Sequence, residues 1–505
     1  MKSIGLFFII SLLFLLGLYG WKCTSASRIE IEKSPGNRII SSVITPVSPE
    51  SSLDAQNENE KLLSAGTISI STSHAVPLYK DIHSACTVDI FFSKRMQTRS
   101  ILNDPYFSFI KSFNFTSLQY SGGSTADHDH AIIGDTRISG GKGDGYNISA
   151  EDCKARGENI STVLDGIGNV RFGVDFFNEY CALLNKLNIP GDLIANVQGG
   201  TLDELIWKIQ QSHAHRVIFG MEQNLPSNAR DFPDGKTYAQ KIVKWIEVIK
   251  QKFPNIIIVL DAAPIYRANP KFSAWNDAIQ KMPGDELRLY LWDKDAVYWR
   301  PDQNENLRSM NDVFSNTFPQ WFGKVKQKFP DKKVSVWQWG LKPKTDIFNT
   351  MAACIYIGKF YKFMIDYNKA NNNYIGYASF MSLKSLDRGD GYTLNHALAL
   401  QACGKLFEGK KRVLDLTINA LPGISGIACD DPMQSAGSYT MLLINETSAR
   451  LAIPEIRIDN RVVQAKKFTQ TSVSSGSLTS FDVSMKTQLN NSLALPPYSI
   501  NIVEF

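Results

Sequence analysis

Short apolar runs in this chain repeatedly end in polar and aromatic residues, and such run ends are where chemistry can be assembled. Glu222, Gln223 and Asn224 close one run, Asn196 and Gln198 another, and Asp261 a third. Tyr290, Trp292 and Asp293 follow a fourth, and Trp337, Gln338 and Trp339 a fifth. Aromatic faces stack on the apolar side of a pyranose ring while neighbouring polar groups hydrogen-bond its hydroxyls, so the mixture suits a sugar. The same tryptophans serve equally as core or rim packing. A carboxyl such as Glu222 moves protons at neutral pH once burial raises its pKa. Asp127, His128, Asp129 and His130 offer a different chemistry, because alternation along an extended chain puts His128 and His130 on one side, as a metal would require. Spacing identifies no third ligand, and an exposed loop is the plainer account of this cluster and of His213 and His215.

The elements that must position these groups follow from periodicity. Strands are expected at 87–92, 117–120, 192–197, 216–219, 256–260, 287–291, 334–336 and 374–380, separated by amphipathic helices such as 174–187, 202–211, 238–252 and 347–367. Eight strand-and-helix units over about 300 residues predict an α/β fold, a (β/α)8 TIM barrel, with reactive groups at the C-terminal strand ends. No G-x-G-x-x-G follows the first strand, which weighs against dinucleotide binding. Past Gly409 the helices stop, and strands are expected at 413–418, 439–444, 452–458, 462–469 and 500–505, an accessory β-sandwich domain. Alternation over 66–73 predicts an N-terminal strand, and because barrel enzymes often build a β domain from both chain ends it is expected to join the same sandwich. The expected boundaries are 1–26 for a leader, 27–65 for a disordered Ser/Pro/Asn-rich linker, 66–84 for the N-terminal strand, 85–408 for the barrel and 409–505 for the sandwich.

Composition limits the function classes. The chain has 505 residues, 43% hydrophobic and 20% charged, and 54 Lys plus Arg against 49 Asp plus Glu give +5, too dilute for a nucleic-acid footprint. Lys2 precedes an apolar run over residues 4–18 with small residues Thr24 and Ala26 behind it, which reads as a signal peptide, with an uncleaved anchor as the alternative. The protein is therefore expected to be secreted, periplasmic or at the cell surface, touching a membrane only through that anchor. The seven cysteines show no C-x-x-C pair. Cys181, Cys354 and Cys403 fall in helical settings that favour ordinary buried thiols. No cofactor is called for.

Several segments resemble, in consistent order over residues 66–505, the retaining glycoside hydrolases of the arabinofuranosidase, xylosidase and heparanase type. Tyr120-Ser-Gly-Gly-Ser-Thr-Ala-Asp127 is similar to their R-x-P-G-G-x-x-A-D segment, and Phe172-Gly-Val-Asp175-Phe-Phe to F-G-x-D-E-F. Asn196-Val-Gln-Gly-Gly-Thr201-Leu-Asp-Glu204 resembles N-x-G-x-G-T-x-E-E, and Gly220-Met-Glu222-Gln-Asn224 stands where they have Gly-Asn-Glu. The final Leu495-Pro-Pro-Tyr-Ser-Ile-Asn-Ile-Val-Glu-Phe is similar to the last strand of their sandwich. The resemblance implies a carbohydrate ligand, Glu222 as general acid/base, and Asp127, His130, Asn196, Tyr290, Trp292, Asp293, Trp337 and Trp339 around the substrate.

Departures from the pattern point the other way. The resemblance sets Gln338, in Val334-Ser-Val-Trp-Gln-Trp-Gly340, at the nucleophile position, and an amide cannot form the glycosyl ester of the double displacement. Met221 replaces the Asn that would bind the sugar 2-hydroxyl, and Trp292 stands where the family often has His or Tyr. Three readings stay open: a sugar-binding relative with weak or lost retaining activity; a glycosidase with Glu222 as acid and Asp293, Asp261 or Asp127 as base, or with substrate assistance; and a metal-dependent hydrolase using the 127–130 cluster.

Overall fold

The computed structural model describes residues 63–64, 66–86, 102–103, 105–120, 126, 132–133, 136–137, 176–292, 302–341, 348–380, 386, 393–434, 438–463 and 467–505. Eight parallel strands close into a barrel in the order Ser84–Cys86, Ser117–Tyr120, Gly191–Ala195, Arg216–Phe219, Ile257–Leu260, Glu286–Trp292, Lys333–Gly340 and Ile375–Phe380, the last pairing back to the first. These strands read as apolar runs because helices cover their outer faces. The helices between them include Phe176–Leu187, Leu202–Ser212, Gly235–Lys252, Pro270–Ile279, Phe318–Lys328 and Met351–Ala370.

The first barrel strand is described over Ser84–Cys86, just ahead of the expected 87–92, which lies outside the described residues. Ser84 starts it because its buried hydroxyl donates to the Ser117 carbonyl at 2.9 Å and lies 3.0 Å from the Tyr377 hydroxyl.

The lower barrel interior is polar and charged. Arg216, wholly buried, donates to Glu286 at 3.0 Å, Asp192 at 3.4 Å, Asp81 at 3.1 Å and the Gly376 carbonyl at 2.9 Å, and its guanidinium lies 4.4 Å from the Tyr377 ring centroid. Burial opposes the Arg216 charge, but Glu286, Asp192 and Asp81 outweigh it and raise its pKa. Gly376 is required beside this group, since a Cβ there would sit 2.2 Å from Glu286 Oε1.

Thr67–Pro77 lies in a nine-stranded sheet with Arg412–Asn419, Ile424–Asp430, Tyr439–Asn445, Glu455–Ile458, Arg461–Val462, Phe468–Ser474, Ser484–Asn490 and Ser499–Glu504. A second sheet of Leu63–Ser64, Leu451–Ile453 and Leu493–Leu495 faces it over a core that includes Ile68, Met441, Leu443, Leu451, Leu495 and Val503. The expected strand 452–458 is two strands in different sheets, divided at Pro454, whose missing N–H breaks a ladder. The expected strand 462–469 is also split, into Arg461–Val462 and Phe468–Ser474. Ile424–Asp430 and Ser484–Asn490 were not expected from alternation; the former turns Ala428 to the sandwich core and Ile427 and Cys429 to the barrel side, so it shows no polar face. The described cysteines, Cys86, Cys181, Cys354, Cys403 and Cys429, are free and buried. Among the described residues, no helix is long and apolar enough to cross a membrane.

Two predictions follow from these buried charges. Arg216→Leu strands two buried carboxylates and should cost about 3–5 kcal/mol, read as a lowered denaturant midpoint with an unchanged slope. His83 is fully buried between Tyr361 and the Phe113 carbonyl, and burial lowers its pKa from 6.5 to about 4. A depressed imidazole pKa means the unfolded chain takes up the proton first. His83 therefore contributes stability that is present above pH 6.5 and lost as pH falls toward 4. Its ring carbon resonance should report a neutral imidazole at pH 5.5, and a protonated ring there would refute the assignment.

Candidate functional site

The chain leaves the Arg216–Phe219 strand through Gly220 and Met221 to Glu222, and two of these three residues have left-handed backbones. Gly220 has φ +78°, and a Cβ there would come within 2.6 Å of Gln223 Cγ and 2.7 Å of Val197 Cγ2. Glu222 has φ +57°, a conformation that costs a long side chain about 1–2 kcal/mol. Its carbonyl accepts from the Leu225 N–H and from Asn228 Nδ2, both at 2.9 Å, which holds the strained turn. The next residue is clamped on two sides: the Gln223 N–H donates to Asp261 Oδ2 at 2.6 Å, and its side chain accepts from Gln198 at 2.9 Å and donates to the Met221 carbonyl at 3.1 Å.

Asp261 is wholly buried and ion-paired with Arg288, and its carbonyl accepts from Trp275 Nε1 at 2.8 Å. Burial lowers the pKa of the Arg288 guanidinium, but the Asp261 carboxylate outweighs that and raises it. Asp261 therefore acts through Gln223 to position the Glu222 turn, and a sealed, ion-paired carboxylate has no access to a water; this corrects its candidacy as the second base. The Tyr290 ring centroid lies 4.1 Å from the Arg288 guanidinium, and Tyr290 is partly buried against the apolar cluster that includes Trp337 and Met221.

Gln338 is the second strained residue, with φ +65°. Trp337 pairs with Ser379 and Trp339 with Phe380, so Gln338 is the extra residue of a β-bulge. Its amide lies 3.9 Å from Met221 Sδ, which brings the Gln338 and Glu222 segments together across the barrel mouth. The bulge also overturns the expectation that Trp337 and Trp339 line a sugar cleft. In a regular strand, residues two apart share a face; the bulge sends these two to opposite faces. Trp337 fills the barrel interior, wholly buried, its indole N–H donating to Ser335 Oγ at 2.8 Å. Trp339 points into the helix layer, stacked on Phe360 at 4.2 Å and 3°.

Asn196 is 7% exposed, and its Oδ1 accepts the N–H groups of Gln198 at 3.2 Å and Gly199 at 3.0 Å, closing a turn. The motif that continues to Thr201 and Glu204 is a capping box: Thr201 Oγ1 accepts from the Glu204 N–H at 3.2 Å, and the Thr201 N–H donates to Glu204 Oε2 at 2.7 Å. Trp292 ends the Glu286–Trp292 strand, with its side chain outside what is described. Asp127, His128, Asp129, His130 and Asp293 lie outside the described residues. Among the described residues, no group of three or more His, Cys, Asp or Glu could hold a metal ion.

Arg288 went unread in the sequence, although a lone arginine within Leu287-Arg-Leu-Tyr-Leu291 is a signal that a buried charge has a partner. Asn224, beside Glu222, has both amide atoms sealed from solvent without a hydrogen-bond partner. Unsatisfied buried polar groups are rare in folded proteins, and a strained or catalytic setting is one reason for them.

No family model matches the sequence, and no curated protein matches it. The fold has solved counterparts, among them glycoside hydrolases. A family 51 arabinofuranosidase from Xanthomonas axonopodis pv. citri superposes with a TM-score of 0.59 at 11% identity, over 87% of this chain and 99% of that one. A family 51 α-L-arabinofuranosidase from Bifidobacterium longum gives 0.60 at 11% identity, with 87% and 99% covered. A family 44 xyloglucanase from Paenibacillus polymyxa gives 0.57 at 9% identity, with 88% and 99% covered. The chain has the barrel-plus-β-domain fold of these enzymes.

The left-handed backbone at Gln338 carries a stability prediction. Gln338→Gly removes the Cβ conflict and should raise the urea midpoint by an equivalent of about 1 kcal/mol. A lowered midpoint would mean that the bulge is unstrained.

Proposed function

We propose that this is an exported, glycoside-hydrolase-like protein that binds a carbohydrate at the mouth of its barrel, with retaining hydrolysis weak or lost. The observation that carries the reading is Gln338: a strained, bulged residue at a strand end, in contact with the residue before Glu222, bearing an amide where a retaining enzyme needs a carboxylate. Backbone strain of this kind persists where the surroundings over-determine it, which supports a site at Glu222 and Gln338. The amide can donate and accept hydrogen bonds to a sugar but has no anionic oxygen for attack. Glu222 remains the proton donor and acceptor of the pair. Tyr290, Asn224 and the undescribed Asp127, His130, Trp292 and Asp293 are the proposed sugar contacts. The apolar run over residues 4–18 behind Lys2 supports export.

The test is sugar release by the full chain from plant, microbial and glycosaminoglycan polysaccharides, alongside Glu222→Gln and Gln338→Glu. The expected result is binding without release by the unaltered protein, and a gain of turnover of roughly 10²-fold or more over it in Gln338→Glu. Release by the unaltered protein that disappears in Glu222→Gln would instead establish a working glycosidase with another second group, and product of inverted anomeric configuration would identify it as inverting.

A further inference from the structure

The nine-stranded sheet has two edges, and they are built differently. One edge is the two-residue strand Arg461–Val462, which is too short to template another chain. The other is Ser484–Asn490, paired on one side with Phe468–Ser474 in unbroken register. Among the described residues no strand lies on its outer side. Residues 484–489 are all exposed. An edge of this kind presents a row of backbone N–H and C=O groups to which a further strand can pair. The usual protections are missing, since the strand holds no proline and no bulge, and Lys486 is its single charge.

The side chains select what pairs there. Of the five large apolar residues exposed among the described residues, three sit at this edge: Leu489 at 61%, Met485 at 40% and, just ahead of the strand, Phe481 at 63%. Met485, Thr487 and Leu489 share the face turned to the barrel side, because Met485 lies opposite the buried Val473 and Thr487 Oγ1 is 3.0 Å from Thr471 Oγ1. Lys486 and Gln488 take the other face. Laid antiparallel against a second copy of itself, the strand has one register that pairs all its residues, the one centred on Thr487. That register sets Met485 opposite the partner's Leu489 and Leu489 opposite the partner's Met485, with Lys486 facing Gln488 and Ser484 facing Asn490 in the same way. Apolar meets apolar and polar meets polar on each face, and the two Lys486 ammonium groups are diagonal rather than opposed.

We propose that the Ser484–Asn490 edge is a self-association surface, through which two copies of this chain join their nine-stranded sheets about a two-fold axis at Thr487. The contact uses the same patch on both copies, so it closes at two and does not propagate into a fibre. One strand pair with two Met–Leu contacts is small against a permanent interface, so the dimer is reversible and depends on concentration. The surface is independent of what the barrel mouth binds.

Sedimentation velocity of the full chain from about 1 µM to about 300 µM tests this, and the mass should rise toward that of two chains across the range. Leu489→Glu sets a carboxylate against Met485 twice per dimer and should weaken association by about tenfold or more. Met485→Lys combined with Leu489→Glu faces opposite charges across both pairs and should bring association back to within about threefold of the unaltered chain. Both positions are exposed, so the variants alter the contact and not the core, and circular dichroism checks that they fold. A single-chain mass at every concentration, association unmoved by Leu489→Glu, or no recovery in the double variant would each overturn the proposal.

Discussion

The barrel depends on the burial of one cation. Arg216 reaches three carboxylates and a carbonyl from four other parts of the chain, so the strands carrying Asp192, Glu286 and Gly376 and the segment carrying Asp81 are registered around one guanidinium. A planar, five-donor group suits this task, because its donors have fixed directions and its charge survives burial. The arrangement need not stabilise the fold more than a hydrocarbon core would, but removing one member leaves the others uncompensated. The smallness of Gly376 and the hydroxyls of Ser117 and Ser335, which donate to Asp192 and Glu286, are consequences of the same group.

Above that polar floor the interior changes character. Ile194, Ile218, Val259, Trp337 and Tyr377 form an apolar plug, and the mouth is built on top of it. A second buried ion pair, Asp261 with Arg288, holds the Glu222 turn from the side through the Gln223 N–H. The mouth is thus assembled from strained backbone supported by rigid neighbours, the arrangement by which a scaffold keeps a side chain where folding alone would not leave it. At this mouth Gln338 holds its amide on a bulged strand end with a left-handed backbone.

Shared architecture does not carry a shared reaction. The superpositions on arabinofuranosidases and a xyloglucanase cover nearly all of those chains at 9–11% identity, which is agreement of architecture. A barrel of this kind hosts many chemistries, and function has to be argued from the groups at its mouth.

The sequence by itself determined the barrel, since eight apolar runs with helical spacers leave few other ways to bury both faces of each strand. It also located the strand ends, including Glu222 and Gln338, because the residue after an apolar run is set by position along the chain. It could not read what side chains do across strands. Trp337 and Trp339 look alike in Trp-Gln-Trp, yet one fills the barrel and the other joins the helix layer, because a bulge at Gln338 breaks an alternation that local pattern assumes. Asn196, Thr201 and Glu204 match a family motif and turn out to bind their own backbone in a turn and a cap. Asp261 looks like a base until Arg288, 27 residues away, is found beside it. Tertiary structure decided these points, for burial, ion pairing and register arise only when distant segments meet.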